Sequence, residues 1–311
     1  MEITNSLFMP PRNGEHPLYR ALRDGPDAYA ANRREFFARL WERFGPIAPK
    51  SFRKKLQFEF HQRWWEMYLA VGLMNLGFSP WCPPSDKGPD ICVAVHQTQV
   101  FLEAVAPTPG GANTSDRVPD LQYGVVYNFP EEECLLRLTQ ALTDHCDKFR
   151  KYYDRGQIPA DSPCIIALSS GRLNPLVTKL DGAPLSVLAG VGSTVVTIRG
   201  TGPPFASRLR RDSIRRDSGS EVDTRLFYRD DFRVVSGVLY SSSDPWNAPD
   251  RPEDTFRLYL NPNADTELPV SLSSVMETWG VESASEHETV WKRHLPSLRS
   301  DLSPHQPPTR R

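Results

Sequence analysis

Two acidic residues stand at strand-like positions in an otherwise apolar stretch of the chain. Asp90 directly precedes a β-branched apolar run at 91–95, and Glu103 lies inside a second run at 100–105. Residues 96–99 suit a tight connection between the runs, so the pattern predicts a hairpin. A carboxylate inside an apolar strand is unfavourable unless it is paired or holds a metal ion. Because hard cations such as Mg²⁺ or Mn²⁺ take carboxylate oxygens as ligands, Asp90 and Glu103 are candidate metal ligands.

A third candidate acid lies on the helix that the sequence predicts before this hairpin. Residues 56–76 have apolar side chains at helical spacing, and Gly77 follows as a stop signal. Glu66 lies on the flank of the apolar face, nearer to its edge than Glu59. A flanking carboxylate can reach the end of the sheet that this face covers, so Glu66 is a candidate third ligand. The alternative is that Glu66 is a solvated surface residue.

Two lysines lie near the end of a second strongly periodic helix, predicted over residues 131–154. Its acidic first turn suits the helix dipole, and its leucines and aromatic residues form one apolar stripe. Lys148 lies on the flank of that stripe, whereas Lys151 lies almost opposite it. We therefore expect Lys151 in solvent. Lys148 is either an ordinary surface lysine or a residue that reaches the sheet.

The motif Pro89-Asp90 followed by Glu103 resembles the PD-(D/E)XK nuclease superfamily, over roughly residues 50–170. That superfamily has Pro-Asp on one strand, Asp or Glu two residues before a Lys on the next strand, and a Glu on the preceding helix. Here Val105 stands in the position of the lysine. Further strands predicted at 78–82 and 163–168 complete the order helix, three strands, helix, strand, which is the core order of the superfamily.

The resemblance implies an α/β fold with a restriction-endonuclease-like α-β-β-β-α-β core. Its mixed sheet would be flanked by helices and extended by C-terminal strands. The same stretch also resembles a bacterial family with the pattern Trp-Trp-Glu, Gly-Pro-Asp, Glu-Ala and Ile-Ile-Ala-Leu, a likeness that implies no activity.

The implied activity is the hydrolysis of phosphodiesters in nucleic acid, DNA rather than RNA, with Mg²⁺ or Mn²⁺ as cofactor. Asp90, Glu103 and Lys148 would be the catalytic residues, and Asp90, Glu103 and Glu66 would hold the metal. Some members of the superfamily carry their lysine on the second helix, which is the role the resemblance gives to Lys148. Val105 leaves an alternative, a catalytically inactive binding or scaffold module with the same fold.

The remaining sequence predicts one domain with extensions. Residues 1–50 form an N-terminal extension with an irregular lead-in at 1–26 and a helix at 27–44. Residues 51–296 form the single PD-(D/E)XK-like domain, and strands at 232–241 and 255–260 pair and extend its sheet. Arginine, serine and aspartate dominate residues 207–223, which predicts a mobile, solvated insertion. We expect a disordered tail at 297–311.

Composition limits the function classes and the compartment. The net charge of −1 gives no overall basic signal, so a nucleic-acid site would have to be a local patch. Five scattered cysteines without a CxxC pair indicate reduced thiols and a cytoplasmic location. No apolar run approaches the ~20 residues of a membrane span, and the N-terminus lacks the pattern of a signal peptide. No HExxH, Walker loop or GxGxxG motif offers a competing catalytic site.

Overall fold

The computed structural model describes residues 6–83, 88–111, 114, 116–120, 124, 126, 128, 130–173, 182–198, 205–284 and 289–296. Eight strands form one mixed sheet in the order β1-β2-β3-β4-β9-β10-β11-β12. These strands are β1 Pro80–Trp81, β2 Ile91–Val95, β3 Thr98–Val105, β4 Cys164–Ser169, β9 Gly237–Ser241, β10 Arg257–Leu260, β11 Glu277–Ala284 and β12 Thr289–His294. Two separate hairpins pair β5 Val191–Thr197 with β6 Phe205–Arg210, and β7 Ser213–Arg215 with β8 Glu221–Asp223.

Helices cover both faces of the large sheet. The α-helices are α1 Pro17–Asp24, α2 Ala28–Phe44, α3 Phe52–Leu56, α4 Phe60–Asn75, α5 Glu131–Asp154, α6 Ala183–Ala189 and α7 Val270–Ser273. Short 3₁₀ turns occupy Gly45–Ile47, Leu226–Tyr228, Asp230–Phe232 and Pro252–Thr255. In the described part of the chain, no helix is both long enough and apolar enough to cross a membrane.

Side chains alternate along β3, and this alternation divides the core into two layers. Val100, Leu102 and Ala104 pack in the cluster that contains α4. Phe101 and Val105 pack in the cluster that contains α5. The sheet therefore has α4 on one face and α5 on the other, which sets the directions from which side chains can reach its edge.

The pairing of the strands is mixed. β1, β2 and β3 are antiparallel neighbours, whereas β3 with β4 and β4 with β9 are parallel. β9 and β10 then pair antiparallel and extend the sheet, as the sequence predicts. These features confirm a mixed α/β fold with a large mixed sheet flanked by helices.

Two predicted helical boundaries are wrong. The lead-in at 1–26 is not wholly irregular, because α1 begins at Pro17 and the ring of His16 accepts a hydrogen bond from Leu18 N. Proline at the first helical position is a favourable start, although Pro-rich composition favours a loop. The predicted helix at 56–76 is interrupted after α3, and its main part is α4.

The expectation of an irregular loop at 207–223 is also wrong, although most of its described side chains are exposed to solvent. This segment contains most of β6 and the β7–β8 hairpin, and Ile214 is buried beneath the hairpin. Arg216 also pairs with Asp116 from the loop that follows β3. Long-range pairing of this kind has no local signature in a segment rich in arginine and serine. The mobility of the segment and the domain boundaries stay predictions, and the predicted tail at 297–311 lies outside the described residues.

Candidate functional site

Glu103 is a buried acid near the C-terminal end of β3, a strand with neighbours on both sides. Its side chain is only 1% exposed, and it points to the α5 face between the buried residues Phe101 and Val105. The hydroxyl of Tyr152 lies 2.9 Å from Glu103 Oε1 and 3.0 Å from the carbonyl oxygen of Gly88, so its one hydrogen is shared between two acceptors. A side chain of α5 therefore fixes the position of the Glu103 carboxyl group.

Lys148 provides the cation beside this carboxylate. Its Nζ donates to Glu103 Oε2 at 3.2 Å and lies 2.9 Å from His145 Nε2. His145 Nδ1 lies 2.9 Å from the carbonyl oxygen of Ala141, which can only accept a hydrogen bond. Nδ1 must therefore be protonated, and Nε2 of the neutral ring can accept from Lys148. Burial and the charge of Lys148 lower the pKa of His145 to about 4, in agreement with a neutral ring.

Glu66 is buried on α4, so the surface interpretation of this residue is wrong. Arg63 NH1 donates to Glu66 Oε2 at 2.7 Å, and Gln62 Nε2 donates to Glu66 Oε1 at 3.0 Å. The Gln62 amide also bonds the backbone of β3, donating to the carbonyl oxygen of Ala104 and accepting from Ala106 N. These bonds fix the helix that carries Glu66 to the end of the strand that carries Glu103.

Asp90 lies between the two glutamates at the end of the β2–β3 pair. Ile91 is paired with Leu102, so Asp90 precedes β2 beside Glu103. Asp90 Oδ2 accepts a hydrogen bond of 3.0 Å from Ala104 N, which continues the ladder with a side chain instead of a backbone carbonyl. The carboxylate is thus anchored at the same edge of the sheet as Glu103.

The three acids, here called the carboxylate cluster (Glu66, Asp90 and Glu103), influence one another. Burial, and then the charge of Asp90, raise the pKa of Glu66 and of Glu103 to about 8. Burial also raises the pKa of Asp90. Arg63 and Lys148 oppose these shifts, but Arg63 is shared with Glu59 and Lys148 is 45% exposed. The cluster therefore holds more carboxylates than cations, in surroundings where each negative charge is poorly solvated.

The donor chemistry of the cluster fits a hard divalent cation, since every donor is a carboxylate oxygen. In the described part of the chain, however, no group of three or more His, Cys, Asp and Glu side chains is arranged to hold a metal ion. The position of the two glutamates on opposite faces of the sheet explains why they do not converge on one point. Glu66 belongs to the helix on one face, Glu103 points to the other face, and both already accept hydrogen bonds.

The structure thus places the predicted site residues near one sheet edge. Lys148 contacts Glu103, whereas Lys151 is exposed, as its position on the helix predicts. Sequence reasoning missed the roles of Tyr152 and Arg63. Helical spacing is the signal that could have found them, because Tyr152 follows Lys148 by four residues and Arg63 precedes Glu66 by three.

Comparisons with protein-family models, with curated proteins and with solved structures found no match to this chain.

Proposed function

We propose that this protein is a divalent-cation-dependent hydrolase of phosphodiesters in nucleic acid, acting on DNA in preference to RNA. The observation that carries the proposal is the contact between Lys148 Nζ and the buried Glu103 Oε2, beside Asp90. Buried clusters in which carboxylates outnumber the neighbouring cations are frequent at functional sites and less common in purely structural surroundings.

The order of the elements supports the proposal. α4, β1, β2, β3, α5 and β4 follow one another as in the restriction-endonuclease-like core, with β3 and β4 parallel. Asp90 directly precedes β2, Glu103 lies on the neighbouring β3, and Glu66 lies on the preceding helix. Val105 is buried in the layer of α5, where a strand lysine would point, and Lys148 approaches Glu103 from that helix.

Each residue has a distinct task in the proposed reaction. Asp90 and Glu103, with Glu66, would hold Mg²⁺ or Mn²⁺. A cation held there would activate water and offset charge on the phosphate. Lys148 places its ammonium group beside Glu103, where it can neutralise charge that develops on the phosphate. Tyr152 fixes the orientation of Glu103, and Arg63 offsets the charge of Glu66.

A cleavage assay tests the proposal. Linear duplex DNA, single-stranded DNA and RNA are incubated with Mn²⁺ and the wild-type protein, Glu103→Gln, Lys148→Ala or Lys151→Ala. We expect the first two variants to lose roughly 10²–10⁴-fold in rate, the range for a positioned acid–base or electrostatic group. Lys151→Ala is the matched control, because it removes the same charge from an exposed position on the same helix. Cleavage unaffected by Lys148→Ala would remove this lysine from the mechanism.

A non-catalytic binding or scaffold module is the second candidate. The observation in its favour is that each carboxylate already accepts a hydrogen bond and that no metal-holding group is arranged in the described part of the chain. A wild-type protein that cleaves none of the three substrates with Mn²⁺ would favour this candidate.

A further inference from the structure

A second polar cluster lies close to the carboxylate cluster and contains cations or neutral donors instead of acids. His61 lies in the first turn of α4, and His16 precedes α1; their rings meet edge to face with centroids 5.4 Å apart. Trp65, one helical turn after His61 on the same face of α4, donates its Nε1 hydrogen to the carbonyl oxygen of Ala167 in β4, and Arg172 follows the end of that strand. The charge of Arg172 lowers the pKa of both histidines. All three side chains are half-buried. We call these three residues the basic cluster (His16, His61 and Arg172).

Among the described residues, the groups of the basic cluster have no acidic partner. In the parts of the chain that the structure describes, no carboxylate forms an ion pair with Arg172, and none hydrogen-bonds either histidine. His16 Nδ1 accepts a hydrogen bond from Leu18 N, so the hydrogen of a neutral ring is on Nε2. Burial lowers the pKa of Arg172. Burial, and then the charge of Arg172, lower the pKa of His61. A half-buried guanidinium without an anion is unfavourable, and a bound anion would offset this.

The basic cluster lies at the same edge of the sheet as the carboxylate cluster. Glu103 pairs with Ile166 in the parallel β3–β4 ladder, and Arg172 follows the C-terminal end of β4. His61 and Glu66 lie on the same helix, five residues apart, which is about 7.5 Å along the helix axis. A nucleic-acid strand that reaches the carboxylate cluster would lie at the edge of the sheet where Arg172 follows β4.

We propose that Arg172, with His61 and His16, is a phosphate-binding subsite for the backbone of the nucleic acid that reaches the carboxylate cluster. A guanidinium group matches a phosphate with two parallel N–H donors, and the imidazole N–H groups supply further donors. The basic cluster holds the strand and takes no part in bond cleavage. The inference rests on the proposed function, because nucleic acid is the source of the phosphate.

The test measures binding without cleavage. A fluorescein-labelled single-stranded DNA oligonucleotide is titrated in EDTA at several salt concentrations, and anisotropy gives the affinity. The variants are Arg172→Gln, Arg172→Lys and His61→Gln, with thermal melting to confirm that each folds. Arg233→Gln is the matched control. Arg233 precedes β9, which is parallel to β4, so it lies at the opposite edge of the sheet, where it pairs with Asp265.

We expect Arg172→Gln to weaken the binding of the oligonucleotide about tenfold, as for one lost hydrogen bond to a charged group. The plot of log K against log salt should become less steep, its slope decreasing in magnitude by about one. Arg172→Lys should recover part of the affinity and part of the slope. His61→Gln should also weaken binding, and Arg233→Gln should leave affinity unchanged. Inorganic phosphate should compete with the oligonucleotide in the wild-type protein and less so in Arg172→Gln.

Three outcomes would overturn the subsite. They are equal affinity of Arg172→Gln and Arg233→Gln, no binding by the wild-type protein, and phosphate binding at Arg172 that leaves oligonucleotide affinity unaffected. Cleavage with Mn²⁺ is measured separately, so an active enzyme with an unaffected Arg172→Gln variant would refute the subsite and leave the proposed function standing.

Discussion

Glu103 depends on α5 for its place inside the sheet. An isolated buried carboxylate is strongly disfavoured, and such a group either gains partners or keeps its proton. Tyr152 and Lys148 supply the partners, one neutral and one charged, from positions four residues apart on the same helix face. A neutral donor keeps the carboxyl oriented whether or not it is ionised, whereas the ammonium group favours the ionised form.

This difference leads to a prediction about Tyr152. Tyr152→Phe retains the aromatic contact with Phe149 but removes the hydroxyl near Glu103. Loss of one hydrogen bond to a charged group corresponds to about 1.5–3 kcal/mol, so the cleavage rate with Mn²⁺ should fall at least about tenfold. Tyr153→Phe is the control, because its hydroxyl bonds the carbonyl oxygen of Ser162. Equal rates for the two variants would exclude an orienting role for Tyr152.

The sequence predicts part of the site at this scale. Helical periodicity alone separates Lys148 from Lys151, because only one of them flanks the buried stripe. The burial of Glu66 was not predictable in the same way. It depends on Arg63 and Gln62, which satisfy its two oxygens, and on β3, to which Gln62 is bonded.

At the scale of elements, local patterns predict the central helices and strands closely. α2 and α5 have strong apolar periodicity, and the structure places them at Ala28–Phe44 and Glu131–Asp154. β2 and β3 have β-branched residues on both sides of a short connection. The β5–β6 and β7–β8 hairpins could not be predicted in this way, since their stability comes from pairing partners and, among the side chains that the structure describes, from the burial of Ile214.

The contact between α4 and the sheet contains a hydrogen bond whose contribution can be measured. Trp65 Nε1 donates to the carbonyl oxygen of Ala167 in β4 at 2.8 Å, and the bond is buried. Trp65→Phe removes this donor along with part of the indole ring. The free energy of unfolding, measured with urea, should fall by roughly 1–2 kcal/mol more than it does in Trp64→Phe.

The neighbouring tryptophan makes this comparison a controlled one. Trp64 is also buried, but its Nε1 has no hydrogen-bond partner among the described residues. Both variants remove a similar volume, so the difference between them isolates the hydrogen bond that fixes α4. Equal destabilisation by the two substitutions would show that packing alone holds the helix.

At the scale of the whole molecule, buried titratable groups link stability to pH in two opposing ways. The pKa values of His61 and His145, lowered by burial to about 3 and about 4, make the folded state bind fewer protons than the unfolded state at mildly acidic pH. Stability from these groups therefore rises with pH up to the ordinary histidine pKa near 6.5. Above about pH 6.5 the histidines are neutral in both the folded and the unfolded state, so they no longer change the free energy of unfolding with pH.

The carboxylate cluster acts in the opposite direction. Glu66 and Glu103 have pKa values of about 8 in the folded state and 4.5 ordinarily, so the folded state holds extra protons between these values. The free energy of unfolding should fall as pH rises from about 6.5 to about 8, by up to about 1.4 kcal/mol per pH unit for each retained proton. Asp90→Asn removes a charge that raises both pKa values. In EDTA, the free energy of unfolding of this variant should therefore fall less steeply with pH than that of the wild-type protein.

Binding of Mn²⁺ to the carboxylate cluster should stabilise the protein to an extent that depends on pH. Cation and protons compete for the same oxygens, so Mn²⁺ should raise the melting temperature more at pH 8 than at pH 6.5. The increase should disappear in Asp90→Asn, which lacks one of the proposed ligands. Melting curves of both proteins at the two pH values, with Mn²⁺ or with EDTA, measure the effect. An equal rise in melting temperature in both proteins would place the cation elsewhere. A flat wild-type profile between pH 6.5 and 8 in EDTA would mean that the carboxyl groups are already ionised, with Arg63 and Lys148 as sufficient partners.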